Sequence, residues 1–266
     1  MFVSAVLNDV ALLILVQFGI ICSMRWIYLS PHLDDAVLSA GGLIYEQTKA
    51  DLPVEIWSFM CGFPDESELT DFAKVLHMIW GTGNGEETTR LRRDEDKKAA
   101  AIVGAKPVHF DFLDCIYRRG KNGEALYTDI YAPPHDAEAD LPAQIAQTLI
   151  AWLKPDDVVV CPLGISSHVD HVIVRKAAEM LKRPLVYYAD IPYLLKNPRE
   201  RGPKTVGMKE SVQPVSESGL KSWIEAIEAY ASQINSVFDD PAVTPMPEKM
   251  RAYWSERQGV ALWKFE

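Results

Sequence analysis

The sequence predicts an α/β fold: a Rossmann-like, mostly parallel sheet with helices on both faces, in a single domain. Three observations lead there. From Arg25 onward, short apolar runs alternate with longer amphipathic stretches, the pattern of βαβ units that feed a parallel sheet and cover it with helices. The chain has 266 residues, is 48% hydrophobic and carries 17 prolines, which fits one large α/β domain better than two small ones. Finally, the residues with the most chemistry directly follow two of the apolar runs, and an open parallel sheet gathers its ligands at the carboxyl ends of its strands.

The elements follow in order. Residues 1–23 contain a 13-residue largely apolar run, Val10 to Cys22, with no Lys or Arg before it, so they make a poor signal peptide. The run is also short for a spanning helix, which needs about 20 apolar residues. Two readings stand: translation starts at Met24 and the leader is a mis-assigned start, or the leader is a weak membrane anchor with Arg25 on the cytoplasmic side. The folded domain runs from residue 24 to 266.

Within it, strands are expected at 25–30 (RWIYLS), 54–60 (VEIWSFM), 107–113 (PVHFDFL), 156–162 (DDVVVCP) and 184–190 (PLVYYAD), each a short run rich in β-branched and aromatic residues. Helices are expected between them at 36–48, 71–79, 91–104, 140–153 and 169–181, where apolar residues recur at helical spacing. A late helix is expected at 218–232, and the aromatic-bearing MRAYWSERQGVALWKFE reads as packing back onto the domain. Three connections, 80–89, 114–138 and 191–207, are longer than usual, and such loops in a compact domain tend to be functional.

Composition narrows the function. A formal net charge of -10 and a pI near 5.1 argue against nucleic acid and anionic membrane surfaces, both of which need clustered Lys and Arg; the basic groups at 90–93 and 118–121 are too short to reverse this. The partner expected is a small molecule, the membrane enters only if residues 1–23 are an anchor, and a homo-oligomer stays compatible with the sequence. The four cysteines, at 22, 61, 115 and 161, form neither a CxxC nor a zinc-ribbon spacing, which reads as a reduced, cytoplasmic set.

The first motif, PHLDDAVLSAGG, puts His32, Asp34 and Asp35 just past the first strand; the second, SHVDH, puts His168, Asp170 and His171 after the fourth. Adjacent buried carboxylates need a cation, a proton or water to satisfy them. A catalytic zinc takes three protein ligands at about 2 Å and keeps one position open. His32 and Asp35 can reach one ion together, with His171 as the third ligand. Asp34 is then left to take a proton from the attacking water. His168, three residues before His171, can face the same carbonyl, and Asp170 is the partner expected to hold its imidazole charged and oriented.

These residues resemble the PIG-L/LmbE family of zinc-dependent N-acetylglucosaminyl deacetylases. LRRDEDKKAAAIVGA (91–105) is similar to the family's arginine-bearing helix, YYADIPY (187–193) to its strand after the second motif, and AIEAYASQI (226–234) to its late helix. The resemblance implies zinc, or another divalent transition metal, on His32, Asp35 and His171, a base at Asp34, and a histidine–aspartate pair at His168 and Asp170. It departs from the family at Leu33 and Val169, where proline is usual; neither position donates to a metal. The family's recurrent arginine falls on Arg92, and Asp190 and Tyr193 follow the fifth strand, where sugar hydroxyls could be bound; the three are candidate substrate-binding residues, and the resemblance implies a GlcNAc-containing small molecule or glycoconjugate as substrate.

GTGNG (81–85) resembles a phosphate cradle but lacks the Lys-Ser/Thr of a P-loop and reads as a mobile loop. The tyrosines and arginines of 114–138 could form a lid over a sugar. Two other functions compete with N-deacetylation. A non-catalytic Rossmann-like nucleotide-binding module should carry GxGxxG after the first strand, which is absent. A metal-dependent phosphoesterase wants more bridging carboxylates than the motifs supply.

Overall fold

The computed structural model describes residues 24–238 and 244–266; both readings of residues 1–23 fall outside the described residues. Five parallel strands come first: β1 (Trp26–Ser30), β2 (Val54–Ser58), β3 (Lys106–His109), β4 (Val158–Pro162) and β5 (Leu185–Tyr188). Two later strands, β6 (Met208–Pro214) and β7 (Gly259–Phe265), join them in one sheet of order β3-β2-β1-β4-β5-β7-β6. β7 runs antiparallel to β5, and β6 antiparallel to β7. The fold is thus the predicted one, with an antiparallel edge that the sequence reading did not contain.

That edge was hard to read for physical reasons. β6, MKESVQP, is mostly exposed and carries Lys209 and Glu210, as an edge strand that resists pairing with other chains should, so it shows no buried apolar face. β7 has five consecutive buried residues, Gly259 to Trp263, which periodicity alone cannot assign. The terminal segment does pack back onto the domain, as expected, but as a helix followed by an interior strand.

The principal helices are α1 (Asp35–Lys49), α2 (Asp71–Trp80), α3 (Gly85–Ile102), α4 (Leu141–Trp152), α5 (Val169–Glu179), the short α6 (Tyr193–Lys196) and α7 (Arg201–Lys204), α8 (Glu217–Glu228), the short α9 (Ile234–Val237) and α10 (Met246–Arg257). α3 starts six residues before the predicted Leu91. Gly81, in the left-handed region at φ 72°, closes α2, and the Asn84 side chain accepts from Glu87 N to open α3. The GTGNG loop is therefore a tight helix–helix turn. Strand 107–113 also ends early: beyond His109 the regular ladder stops, and the chain keeps a bridge from Asp111 to Met60 and the backbone bonds of Phe110 N to Ser58 O and Gly62 N to Phe112 O.

Alternate residues of each inner strand serve opposite faces. Ile27, Leu29, Trp57 and Cys161 pack under α4 and α5, while Tyr28, Ile56 and Val160 pack under α1, α3 and α8. For the function, the decisive neighbours are β1 and β4, which pair in parallel with Trp26 opposite Val158. The chain leaves β1 toward β2 and β3, then returns to β4 and β5 on the other side. This is the strand-order reversal where an open α/β sheet forms its crevice.

Candidate active site

The loop after β1 is built to present carboxylates. Ser30 Oγ donates to His32 O (2.6 Å) and accepts from Ala36 N (3.1 Å), pinning the turn. His32 N donates to Asp35 Oδ2 at 2.8 Å. Asp34 occupies the N-cap position of α1 yet makes no side-chain capping bond, so its carboxylate is spent on the cleft. On the neighbouring strand end, Gly164 at φ 67° turns the chain after β4, and His168 caps α5, its Nδ1 accepting from Asp170 N at 3.2 Å.

These two ends bring His32, Asp35 and His171 together, with one potential ligand atom from each within 4.8 Å of the others. Asp35 bridges them: Oδ2 lies 3.2 Å from His32 Nδ1 and Oδ1 lies 3.3 Å from His171 Nε2. Each imidazole has its other nitrogen fixed by a carboxylate. Asp170 Oδ2 is 3.0 Å from His32 Nε2, and Asp190 Oδ1 is 2.6 Å from His171 Nδ1. Outer carboxylates of this kind set the tautomer and aim the inner nitrogen at a metal.

The donor set fits a divalent cation. His171 Nε2 is buried with no hydrogen-bond partner, an orphan that a metal would satisfy. Burial works to lower the pKa of His171, yet Asp35 and Asp190 raise it to about 9. Burial likewise opposes a charged His32, and Asp114, Asp170 and Asp35 carry its pKa well above the ordinary value. For Asp35 burial acts upward, and the two imidazoles pull it well below its usual range. The surrounding carboxylates therefore favour a cation where the three ligand atoms converge, either protons on the imidazoles or a metal that displaces them.

Asp34 behaves oppositely: burial, then the neighbouring Asp35 carboxylate, push its pKa up to about 6. Arg92 Nη2 stands 3.8 Å from it and Arg92 Nη1 3.8 Å from Asp114 Oδ2, with the guanidinium over the Trp80 ring at 5.1 Å. A cleft of about 200 Å³ opens above these groups, lined by His32, Asp34, Arg92, Asp114, His168 and Tyr193 among others. Tyr193, at the start of α6, has its ring 5.7 Å from that of His171.

Three expected roles need correction. Asp190 does not line the cleft: at 1% exposure its oxygens are taken by His171 and by Ile165 N, 3.0 Å away, so it faces His171 and not the cleft. The Asp170 carboxylate hydrogen-bonds His32 and Cys115 N and pairs with Arg118 Nη1 at 2.6 Å; it is His32 that it orients. Nor is His168 held charged, since burial, then the neighbouring His32 and His171, carry its pKa well below the ordinary value. With Nδ1 accepting, the neutral ring carries its proton on Nε2.

Sequence reasoning missed Asp114. It lies at the carboxyl end of the β3 segment, caps the turn at 115–117 through Ile116 N (3.2 Å) and reaches to 3.7 Å from His32 Nε2. The rule that exposed the other motifs, a charged residue directly after a predicted strand, applies to it too. His77, His109 and His135 are ordinary: they bond Tyr117, Asp96 and Ala137 N respectively. The 114–138 loop does reach the cleft, which Ile130 and Tyr131 help to line.

Among the described residues, no helix is long and apolar enough to cross a membrane. A family model described as "PIG-L: GlcNAc-PI de-N-acetylase" matches residues 27–181. A curated relative, the 2'-N-acetylparomamine deacetylase of Niallia circulans, is 22% identical over 272 residues, covering 90% of this chain and 93% of its own. The zinc-inhibited form of teicoplanin deacetylase Orf2 has the same fold, with a TM-score of 0.78, 23% identity and coverage of 91% of this chain and 97% of that one. The A40926 pseudoaglycone deacetylase Dbv21 matches with a TM-score of 0.72 and 25% identity, over 91% of this chain and 96% of that one.

Proposed function

The chain belongs to the PIG-L family, whose model covers more than half of it, and is an amide hydrolase of the N-deacetylase class; from that premise we propose that it removes the acetyl group from the 2-amine of a small GlcNAc-containing conjugate. The observation that carries the reading is the converging set His32, Asp35 and His171, each imidazole backed by its own carboxylate. A three-ligand site of nitrogen and oxygen donors suits zinc with one position open. When bound there, zinc supplies Lewis acidity to the acetamide carbonyl and to the attacking water.

The chain's own groups then divide the work. Asp34, not engaged as a helix cap, takes a proton from the water as its oxygen bonds to the carbonyl carbon. A pKa of about 6 lets it act as base near neutrality and return that proton to the departing nitrogen as the C–N bond breaks. His168, neutral with its proton on Nε2, donates to the carbonyl oxygen as charge develops there. Asp114 and Arg92, a carboxylate and a guanidinium facing one another across the cleft, offer an acceptor and donors to sugar hydroxyls, and Tyr193 supplies an apolar wall. The products are the free amine and acetate.

Two relatives with similarity along nearly the whole chain carry the names 2'-N-acetylparomamine deacetylase and antimicrobial reagent A40926 pseudoaglycone deacetylase, which supports a small glycoconjugate as substrate. The three described cysteines are free and buried, which supports a reducing, cytoplasmic setting. Membership of an enzyme family sets aside the non-catalytic nucleotide-binding module. The test is acetate release from a panel of N-acetylglucosaminides with protein loaded with zinc, chelated and reloaded. Release that stops on chelation and returns with zinc is the expected result. A protein that binds one zinc yet releases no acetate from any member would put the substrate outside this class.

A further inference from the structure

Arg118 and Glu138 lie outside the cleft, and the chemistry above uses neither. Both are buried at 8% exposure, an expensive place for two ions. Glu138 Oε2 is 2.8 Å from Arg118 Nε, Arg118 Nη1 is 2.6 Å from Asp170 Oδ1, and Asp170 Oδ2 is 3.0 Å from His32 Nε2. At the far end Tyr127 donates its hydroxyl to Glu138 Oε1 at 2.6 Å and accepts from His135 N at 2.7 Å. The Tyr127 ring also lies 5.2 Å from the Arg118 guanidinium. Charges alternate along the whole chain of contacts, from the 118–138 loop to the inner histidine.

Resting on the metal reading above, we propose that Arg118 and Glu138 are positioning residues for His32: through Asp170 they fix the imidazole so that Nδ1 faces Asp35 and His171. Arg118 Nη1 reaches Leu113 O at 3.0 Å as well as Asp170, and Glu138 anchors the guanidinium at Nε. Without Glu138 the guanidinium loses that anchor, the Asp170 carboxylate loosens, and the His32 ring loses the partner that sets its angle. Outer partners of a metal-binding histidine act through metal affinity more than through substrate contact.

The test is zinc affinity, read by competition with a chromophoric chelator, together with the visible spectrum of the cobalt-substituted protein. Glu138→Gln, which removes the charge and keeps the shape, is expected to weaken zinc binding about tenfold and to alter the cobalt bands, with KM for an N-acetylglucosaminide unchanged. Tyr127→Phe frees one Glu138 oxygen and is expected to give a smaller loss than Glu138→Gln. Glu55→Gln is the control: equally buried, at 8% exposure, and paired with Arg25 instead, it is expected to leave zinc affinity alone. Wild-type affinity in both Glu138→Gln and Tyr127→Phe overturns the proposal, as does an equal loss in Glu55→Gln. If Glu138→Gln does not fold, Tyr127→Phe decides. Failure of the wild-type protein to bind zinc is a different result, which removes the metal reading and this inference together.

Discussion

Asp34 and Asp35 are neighbours in sequence with opposite electrostatic fates: two imidazoles stabilise the Asp35 charge, while burial beside that charge lifts Asp34. Asp34→Asn is therefore expected to lower kcat a hundredfold or more, in line with the ~10²–10⁴ contribution of a general base, with zinc content measured as unchanged. His171→Ala is expected to lose both activity and metal. Asp114→Asn tests the sugar contact: an approximately tenfold rise in KM with a smaller change in kcat is expected if it accepts from a hydroxyl. At this scale the sequence pointed to residues that cluster in the structure but not to which pairs form. His32, Asp35 and His171 were legible because topology alone puts the β1 and β4 ends side by side. The partners of Asp170 and Asp190 were not, because Arg118 and Ile165 reach them only through tertiary packing.

Between elements, α1 and α8 approach closely enough that two glycines of α1 have no space for a side chain. A Cβ on Gly41 would lie 2.6 Å from Trp223 Cδ1, and one on Gly42 would lie 2.8 Å from Trp223 Cε3. The indole is fully buried and its Nε1 donates to Val37 O at 2.7 Å, so it has no room to retreat. Gly42→Ala is expected to destabilise by about 1–3 kcal/mol, the usual cost of overpacking, read as a lower urea midpoint with an unchanged m-value. The helix boundaries of α1, α2, α4 and α5 were legible to within a residue or two from apolar spacing. The start of α3 was not, because GTGNGEETT carries no apolar stripe and its helix depends on the Asn84 cap and on Glu66 accepting from Glu86 N, twenty residues back along the chain.

For the molecule as a whole, a charge network ties the amino-terminal ends of the central strands. Arg25 holds Asp157 at 2.6 Å and Glu55 at 3.1 Å. Burial works to raise both carboxylates, yet the hydrogen bonds they receive, together with Arg25, leave each below its ordinary value. Depressed carboxylates contribute stability that is fully present above their unfolded pKa values, about 3.9 and 4.3, and is lost as pH falls through the folded ones. The network's contribution to the denaturation midpoint is thus expected to hold from neutrality to about pH 5 and then fall. Arg25→Gln should flatten that acid slope; an unchanged slope would exclude the network as its source. The position of β7 between β5 and β6 has a further consequence for biosynthesis. While the ribosome is still making α8 and α10, the outer edge of β5 has no neighbour and β6 has nothing to pair with. The nascent chain carries an open sheet edge through that interval, the kind of surface that recruits strands from other molecules. A chain stalled before Gly259 is then a substrate for chaperones or for aggregation, even though every residue of the catalytic cleft has already been synthesised.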